Sequence, residues 1–415
     1  MSSLRKMYRT VIPDEFPPRI SITFHDDGAD STLVYEKTEW DIDGERKGLR
    51  YGENPDQPAA LYRLVNGNLR VGDAETIQPG NSTASEPELL QSGKHPSKIN
   101  ITDADTAIGI LRYFGDEPAT VIVKHNNPCG VAIGESPADS YRRAYLADRI
   151  AAFGGVVALN KAVDKATAER IMESYSEVVV APDFTTEALE RFRERKNLRV
   201  MRIRAMDRLS EVASRRIVDF HSLTDGGLVT QLSFEPKRLS ESDLQPAAVT
   251  HKGVEYRIDR APTDAERADM RFGWLVEAGV TSNSVIYVKD RATVAIGTGE
   301  QDRVGVAEIA RDKAYRKLAD RLAWVKHGKA LNQIDDETTR REIDREVRAS
   351  RGGLAGSVMI SDAFFPFRDG IDVGLREGVS AVLQPGGSLR DWESIEACNE
   401  FGATMCFTGQ RSFSH

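Results

Sequence analysis

The stretch 119–130, Ala-Thr-Val-Ile-Val-Lys124-His125-Asn126-Asn127-Pro128-Cys129-Gly130, sets an apolar, β-branched run directly before the densest polar stretch of the chain. The run 119–123 predicts a strand buried on both faces, as in the sheets of α/β proteins. Just upstream, 103–114 puts Ala104, Ile108 and Leu111 on one helical face. A helix followed by a buried strand is one beat of a βαβ rhythm, and 177–181 (EVVVA), 217–221 and 379–384 (VSAVLQ) repeat it. The class predicted is α/β.

Ligands of open α/β sheets bind beyond the carboxyl ends of strands, so the residues after Val123 are the first candidates for chemistry. Neighbouring side chains on a strand point to opposite faces, so Lys124 and His125 share a site only if the strand stops there. Asn127-Pro128 is expected to supply that stop. Histidine titrates near neutrality and shuttles protons, while an adjacent ammonium lowers its pKa and stabilises an oxyanion. The pair suits acyl or formyl transfer. A Lys-His dipeptide alone more often marks a solvent-exposed turn than a site.

Further out, 284–297 predicts a hairpin, with SVIYV and TVAIG flanking KDRA, and the helix after it carries Val306, Ile309 and Ala310. The charged segment 312–351 predicts paired surface helices linking two α/β units, before a new strand at Ser357. RISITF at 19–24 reads as an edge strand. A chain of 415 residues exceeds what one core organises. The expected division is an N-terminal extension 1–45, a first unit 46–225 with 321–351, and a second unit 226–320 with 352–415. No repeat of solenoid period is present, although two similarly built halves need not show one.

Three glycine turns admit close backbone approach: Phe153-Gly154-Gly155, GTGEQDR at 297–303 and PGGS at 385–388. GTGEQDR lacks the third glycine of GxGxxG and follows a hairpin, which disfavours a dinucleotide fold. PGGS reads either as a tight turn or as a ligand contact. Arg50, Arg303, Arg368 and Arg411 stand beside aromatic or glycine residues, either as surface ion pairs or as phosphate clamps. FFPF at 364–367 reads as core.

The 56 basic and 64 acidic residues give a net charge of −8, which argues against general affinity for a polyanion such as DNA. The basic run 191–204 is read as a solvated helix and strand face. Cys129, Cys398 and Cys406 form no CxxC, and no two histidines have the spacing of a helical metal site. Pro128-Cys129 invites comparison with zinc deaminases, but neither the glutamate of H-x-E nor the second cysteine of P-C-x-x-C is present. The N-terminus has no signal-like apolar core, and no stretch approaches the length of a membrane span. A cytoplasmic protein with no nucleic-acid or membrane partner is expected.

Seven stretches then combine: LRYGENPDQ (49–57), VKHNNPCGVA (123–132), DRIAAFGGVVALN (148–160), TSNSVIYVK (281–289), AIGTGEQDRV (295–304), SDAFFPFRDGID (361–372) and FTGQRSFSH (407–415). Collectively, and in order, they resemble the transformylase half of the bifunctional enzymes that join aminoimidazole carboxamide ribonucleotide (AICAR) transformylase to IMP cyclohydrolase. The resemblance implies formyl transfer from 10-formyltetrahydrofolate to the 5-amino group of AICAR, without a catalytic metal. It also implies two zinc-free units of the cytidine-deaminase type and a homodimer whose sites are completed across the interface.

By the same resemblance His125 is the proton-transfer residue, Lys124 its electrostatic neighbour, and Asn283 the group orienting the formyl oxygen or carboxamide. Arg50, Tyr51, Asn100, Glu177, Arg303, Phe364 and Arg411 fall on nucleotide-contacting positions. Phe153, Gly154 and Asp369 fall in the folate region. Only 48 residues precede the LRYG stretch, so ring closure is not expected of this chain. Ser414 replaces a common second histidine and Thr281 a frequently basic residue. A deaminase-like hydrolase and a non-catalytic nucleotide- or folate-binding protein are the rival readings.

Overall fold

Ala119–Lys124 is a strand whose first five residues are fully enclosed, as its apolar run requires. It belongs to a computed structural model that describes residues 7, 10–25, 28, 30–66, 69–72, 74–75, 80–212, 215–237, 240 and 243–415. Parts of the expected extension 1–45 lie outside the described residues. By internal contacts the chain forms two compact units: 1–126 with 135–139 and 154–235, and 127–134 with 140–153 and 236–415.

The first unit holds a mixed sheet in the order Ala119–Lys124, Val156–Leu159, Val178–Ala181, Arg199–Arg202, Glu88–Gln91. Its first and last pairings are antiparallel and the two between them parallel. Helices Lys165–Met172 and Thr186–Arg193 make the crossovers that parallel pairing demands. Arg19–Phe24 is a strand as expected, paired antiparallel with Ser31–Lys37.

The second unit holds strands in the order Asn127–Ile133, Ala292–Thr298, Ser284–Lys289, Val358–Ser361, Ala381–Gln384, Thr404–Phe407. The hairpin expected from KDRA is present, with Asp290 and Arg291 both left-handed at its tip. The following helix, Arg303–His327, buries Val306 and Ala310 against the core of this unit. It pairs with Glu337–Ala349 through Leu318, Ala323, Ile343 and Val347. A division at 320/321 falls inside that helix.

Order of elements reveals a repeat that the sequence hides. Helix Lys98–Leu111 precedes strands Ala119–Lys124 and Asn127–Ile133, then helix Pro137–Ala147 with the short helix Arg149–Ala152, then three strands separated by two helices. The chain runs through the same series from helix Asp264–Glu277 to strand Thr404–Phe407, with Glu337–Ala349 as the insertion.

Three local expectations need correction. Asn127-Pro128 does not end the polar stretch in a loop; it opens the strand Asn127–Ile133, and the stop comes from His125 and Asn126 turning left-handed. The segment expected as a buried strand at 217–221 is an exposed two-stranded ribbon, Val218–Ser222 with Leu228–Leu232. Of 364–367 only Phe365 is core, while Phe364 and Phe367 are exposed. In PGGS the backbone N–H groups of Gly387 and Ser388 bond the Asp391 carboxylate at 2.7 and 3.0 Å, which makes it a self-satisfied tight turn.

Candidate active site

Ser97 caps helix Lys98–Leu111 and exchanges bonds with Asn100, a capping box that fixes where the helix starts. Asp103 is thereby set on the buried face, where its carboxylate accepts the backbone N–H groups of His125 (3.2 Å) and Asn126 (2.7 Å). Both residues have positive φ, 57° and 58°, a conformation disfavoured for residues other than glycine. The aspartate offsets that cost by satisfying two amides that the strand ladder leaves behind. Lys124, half-buried, and His125, exposed, thus occupy a strand end turned by a single acid.

Burial pushes the Asp103 carboxyl above its usual range, the two N–H bonds and His125 oppose that shift, and Glu177 adds to it. His125 and Glu177 therefore both lie within electrostatic reach of one carboxylate. Glu177 also accepts from the Asn100 amide at 3.2 Å and approaches Arg199 at 3.8 Å. Arg199 is buried, and burial together with the nearby Arg50 charge lowers it to about 10. Arg50 is also buried; its Nη2 bonds the Tyr51 hydroxyl at 3.0 Å and its Nε has no partner among the described residues.

Two buried guanidiniums, a phenol and an amide beside one carboxylate form a cationic cluster with the groups that bind an anion. Backbone bonds from Arg50 to Pro96 (2.8 Å) and from Lys98 to Tyr51 (2.9 Å) tie the LRYG stretch to the capped helix. Gly154, with φ of 77°, donates its N–H to Tyr175 at 2.8 Å in the same unit.

Asn283 and Arg303 meet in the second unit. Arg303 Nη2 donates to the Asn283 side-chain oxygen at 2.8 Å, and Nη1 donates to Ser284 O (3.1 Å), Ser361 Oγ (3.1 Å) and Asp362. Asp362 also accepts from Ser282 Oγ at 2.6 Å and the Ser284 amide at 3.1 Å. Glu277, enclosed beside it, is driven well above the carboxylate range by burial and then by the Asp362 charge. Arg303 is thus a buried ion pair.

The C-terminal segment docks on the same cluster. Ser412 N bonds Asp362 O at 2.9 Å, and Ser414 and Ser282 exchange two bonds through the Ser414 backbone. The side chain at 414 takes no part in them. Thr281 likewise engages through its backbone, from N to the Asn127 side chain at 3.0 Å. Arg411 lies over the Phe413 ring at 4.2 Å, and Phe364 follows Asp362 on an exposed bend.

Phe153 is 59% exposed on the wall of a cavity of about 820 Å3, with Ile150, Tyr315, Leu331, Arg316 and Arg348. Asp369 is not on that wall; it begins helix Asp369–Leu375 in the open. Arg368 forms ion pairs with Asp372 and Glu400, which explains it as a surface residue.

Two residues of this geometry escape a reading of the sequence. Arg199 sits in the basic run taken as solvated, and its only signal is its place at the head of an apolar strand. Asp103 reads as a helix-start acid, whereas its partners lie beyond the strand. Among the described residues no group of three or more His, Cys, Asp or Glu is placed to hold a metal ion, and no helix is long and apolar enough to cross a membrane.

Comparison with known proteins follows the same lines. Residues 18–313 match the model of the family described as AICARFT/IMPCHase bienzyme. The chain is similar to the bifunctional purine biosynthesis protein PurH of Oceanobacillus iheyensis, 36% identical over 384 residues, covering 92% of this chain and 61% of the relative. It is likewise similar to PurH of Xanthomonas axonopodis pv. citri (39%, 88% and 58%) and of Persephonella marina (38%, 88% and 59%). The chain therefore spans about three fifths of the length of the curated relatives it matches.

Proposed function

Because the chain belongs to the AICARFT/IMPCHase bienzyme family, we propose that it transfers a formyl group from 10-formyltetrahydrofolate to the 5-amino group of AICAR in purine biosynthesis. The observation that carries the reading is the Asp103-held turn, which presents His125 at a strand end in the unit that also holds the cationic cluster at Arg50.

The AICAR amine is a poor nucleophile, since its lone pair is delocalised into the imidazole and carboxamide. Positioning and proton removal must supply much of the rate. In this reading the amine nitrogen bonds the formyl carbon and His125 takes the amine proton. The bond from that carbon to folate N10 then breaks, and N10 is protonated as tetrahydrofolate leaves. Lys124 contributes positive charge beside the developing oxyanion, and Asn283 orients the formyl oxygen or carboxamide.

Arg50 and Tyr51, joined by Arg199, hold the nucleotide phosphate, and Asn100 with Glu177 takes the ribose side. Arg303, Arg411 and the backbone at Phe364 complete the nucleotide contacts. The aromatic and apolar wall at Phe153, with Arg316 and Arg348 beside it, suits an aromatic ring that carries carboxylates, as formylated folate does. Gly154, and Asp369 although it stands off that wall, are proposed as further folate contacts.

The repeated order of elements supports two modules of the cytidine-deaminase type, working without zinc, preceded by an extension at 1–45. The enzyme acts in the cytoplasm as a homodimer that completes its sites across the interface, with no nucleic-acid or membrane partner. Purified protein given AICAR and 10-formyltetrahydrofolate should release tetrahydrofolate and formyl-AICAR; absence of tetrahydrofolate release would sink the reading.

A further inference from the structure

The strand end of the second unit, at the position where the first carries Lys124 and His125, is Lys289-Asp290. There the chain opens a cavity of about 420 Å3, lined by Lys289, Asp290, Arg142, Arg143 and Arg321. Four cations face one carboxylate. Arg143 donates to the carbonyls of Ile133 and Asp290, and Lys289 Nζ donates to Ala355 O at 2.8 Å. Carbonyl partners fix these side chains without neutralising them.

Arg321 stands on helix Arg303–His327, half-buried on the wall of this cavity. Among the described residues it has no carboxylate partner and no hydrogen-bond acceptor. Burial lowers its pKa and no negative charge opposes the shift. Gly353, at φ of 84°, forms the adjacent wall: a Cβ there would stand 3.7 Å from Arg321 Nη2, so bare backbone leaves the guanidinium uncovered. A half-buried guanidinium that no carboxylate or carbonyl engages keeps its N–H donors available to an anion entering the cavity. The planar fork of arginine matches two oxygens of a phosphoryl group.

We propose that this cavity binds a small phosphate monoester through its phosphoryl group, with Arg321 as the bidentate contact and Lys289, Arg142 and Arg143 as the surrounding charge. Its size falls at the lower end of the range of roughly 300–1,000 Å3 for ligand pockets, which leaves room for a sugar beyond the phosphoryl group. No aromatic residue lines it, so it offers no platform for a nucleobase. The site shares no residue with the cationic cluster at Arg50 and does not depend on the proposed formyl transfer.

Calorimetric titration of the full chain with ribose 5-phosphate and with inorganic phosphate, at an ionic strength held constant with chloride, tests this. Arg50→Gln, which weakens the cationic cluster at Arg50, should retain a saturable site, and Arg321→Met should lose at least about tenfold in affinity at it. Saturation by ribose 5-phosphate alone assigns a monoester; saturation by both assigns the phosphoryl group itself. Affinity in Arg321→Met equal to that of the unmodified chain, or no saturable site in Arg50→Gln, overturns the proposal. Should Arg321→Met fail to fold, Lys289→Gln on the exposed rim should weaken binding several-fold, and unchanged binding there also overturns it.

Discussion

The turns at His125-Asn126 and Asp290-Arg291 are built alike and equipped differently. Each follows a buried strand, and each places two consecutive residues in the left-handed region. Each is held by an aspartate at the same interval from its helix N-cap: Asp103 after Ser97, Asp269 after Thr263. Asp269 accepts the amides of Asp290 (2.9 Å) and Arg291 (2.6 Å) as Asp103 accepts those of His125 and Asn126. The backbone device therefore belongs to the fold. What distinguishes the first turn is the titratable ring displayed on it.

Exchanging side chains without disturbing the backbone should break that comparison most sharply. Asparagine tolerates the left-handed region, so His125→Asn and Arg291→Asn both keep the turns. Tetrahydrofolate release should fall about a hundredfold or more in the first and stay within about twofold in the second. Comparable losses in the two would show that the turn, and not the imidazole, carries the rate.

Removing the clamps should instead treat the two turns alike in stability. Asp103→Ala and Asp269→Ala each strand two amides, and each should lower unfolding free energy by about 1–3 kcal/mol in urea titrations. Only Asp103→Ala should also lower kcat, with little change in the KM for AICAR, because it misplaces His125 without touching the cluster at Arg50. A drop in kcat from Asp269→Ala of equal size would merge the two roles.

The capping boxes separate the units by charge. Ser97 pairs with a neutral Asn100, whereas Thr263 pairs with Glu266, a carboxylate. Burial raises the pKa of Glu266, but bonds from Arg260, Thr263 and Ser380 overcome that and bring it to about 2, below its ordinary 4.5. A depressed folded pKa stabilises the protein above the unfolded value, and the contribution is lost as pH falls from about 4.5 toward 2. Glu266→Gln should flatten stability measured across that window, and Asn100→Asp should not flatten it. Identical acid profiles for Glu266→Gln and the unmodified chain would remove Glu266 from the acid response.

The smallest effect expected is a gain. Arginine has no special tolerance for positive φ, so Arg291→Gly should raise stability by up to about 1 kcal/mol, and Asn126→Gly by less, since asparagine already accommodates it. A larger gain at 126 would show that the first turn is the more strained of the two.

Strands 119–124 and 381–384 and the hairpin at 284–298 were legible because continuous or alternating apolar runs leave few alternatives. The ribbon at 218–222 was not, because its residues suit any pleated surface and burial is decided by what packs on it. Lys124 and His125 stood out by position. Their clamp did not, since Asp103 acts across a loop and a strand that local pattern cannot bridge. Arg199 was hidden inside a charged run, where only burial tells a site residue from a solvated one. The doubled order of elements left no period in the sequence because packing preserves which residues are apolar, not which ones they are.

The glycine turn at 385–388 carries a ligand of its own. Asp391 is tethered a few residues from the Gly387 and Ser388 amides that it occupies, so it competes for them at the millimolar or higher effective concentration of a short intramolecular link. An external anion must outcompete that resident carboxylate, which the charge-poor backbone alone gives it no means to do. A loop with the composition of an anion receptor is in this way kept closed to the metabolite pool by its own helix.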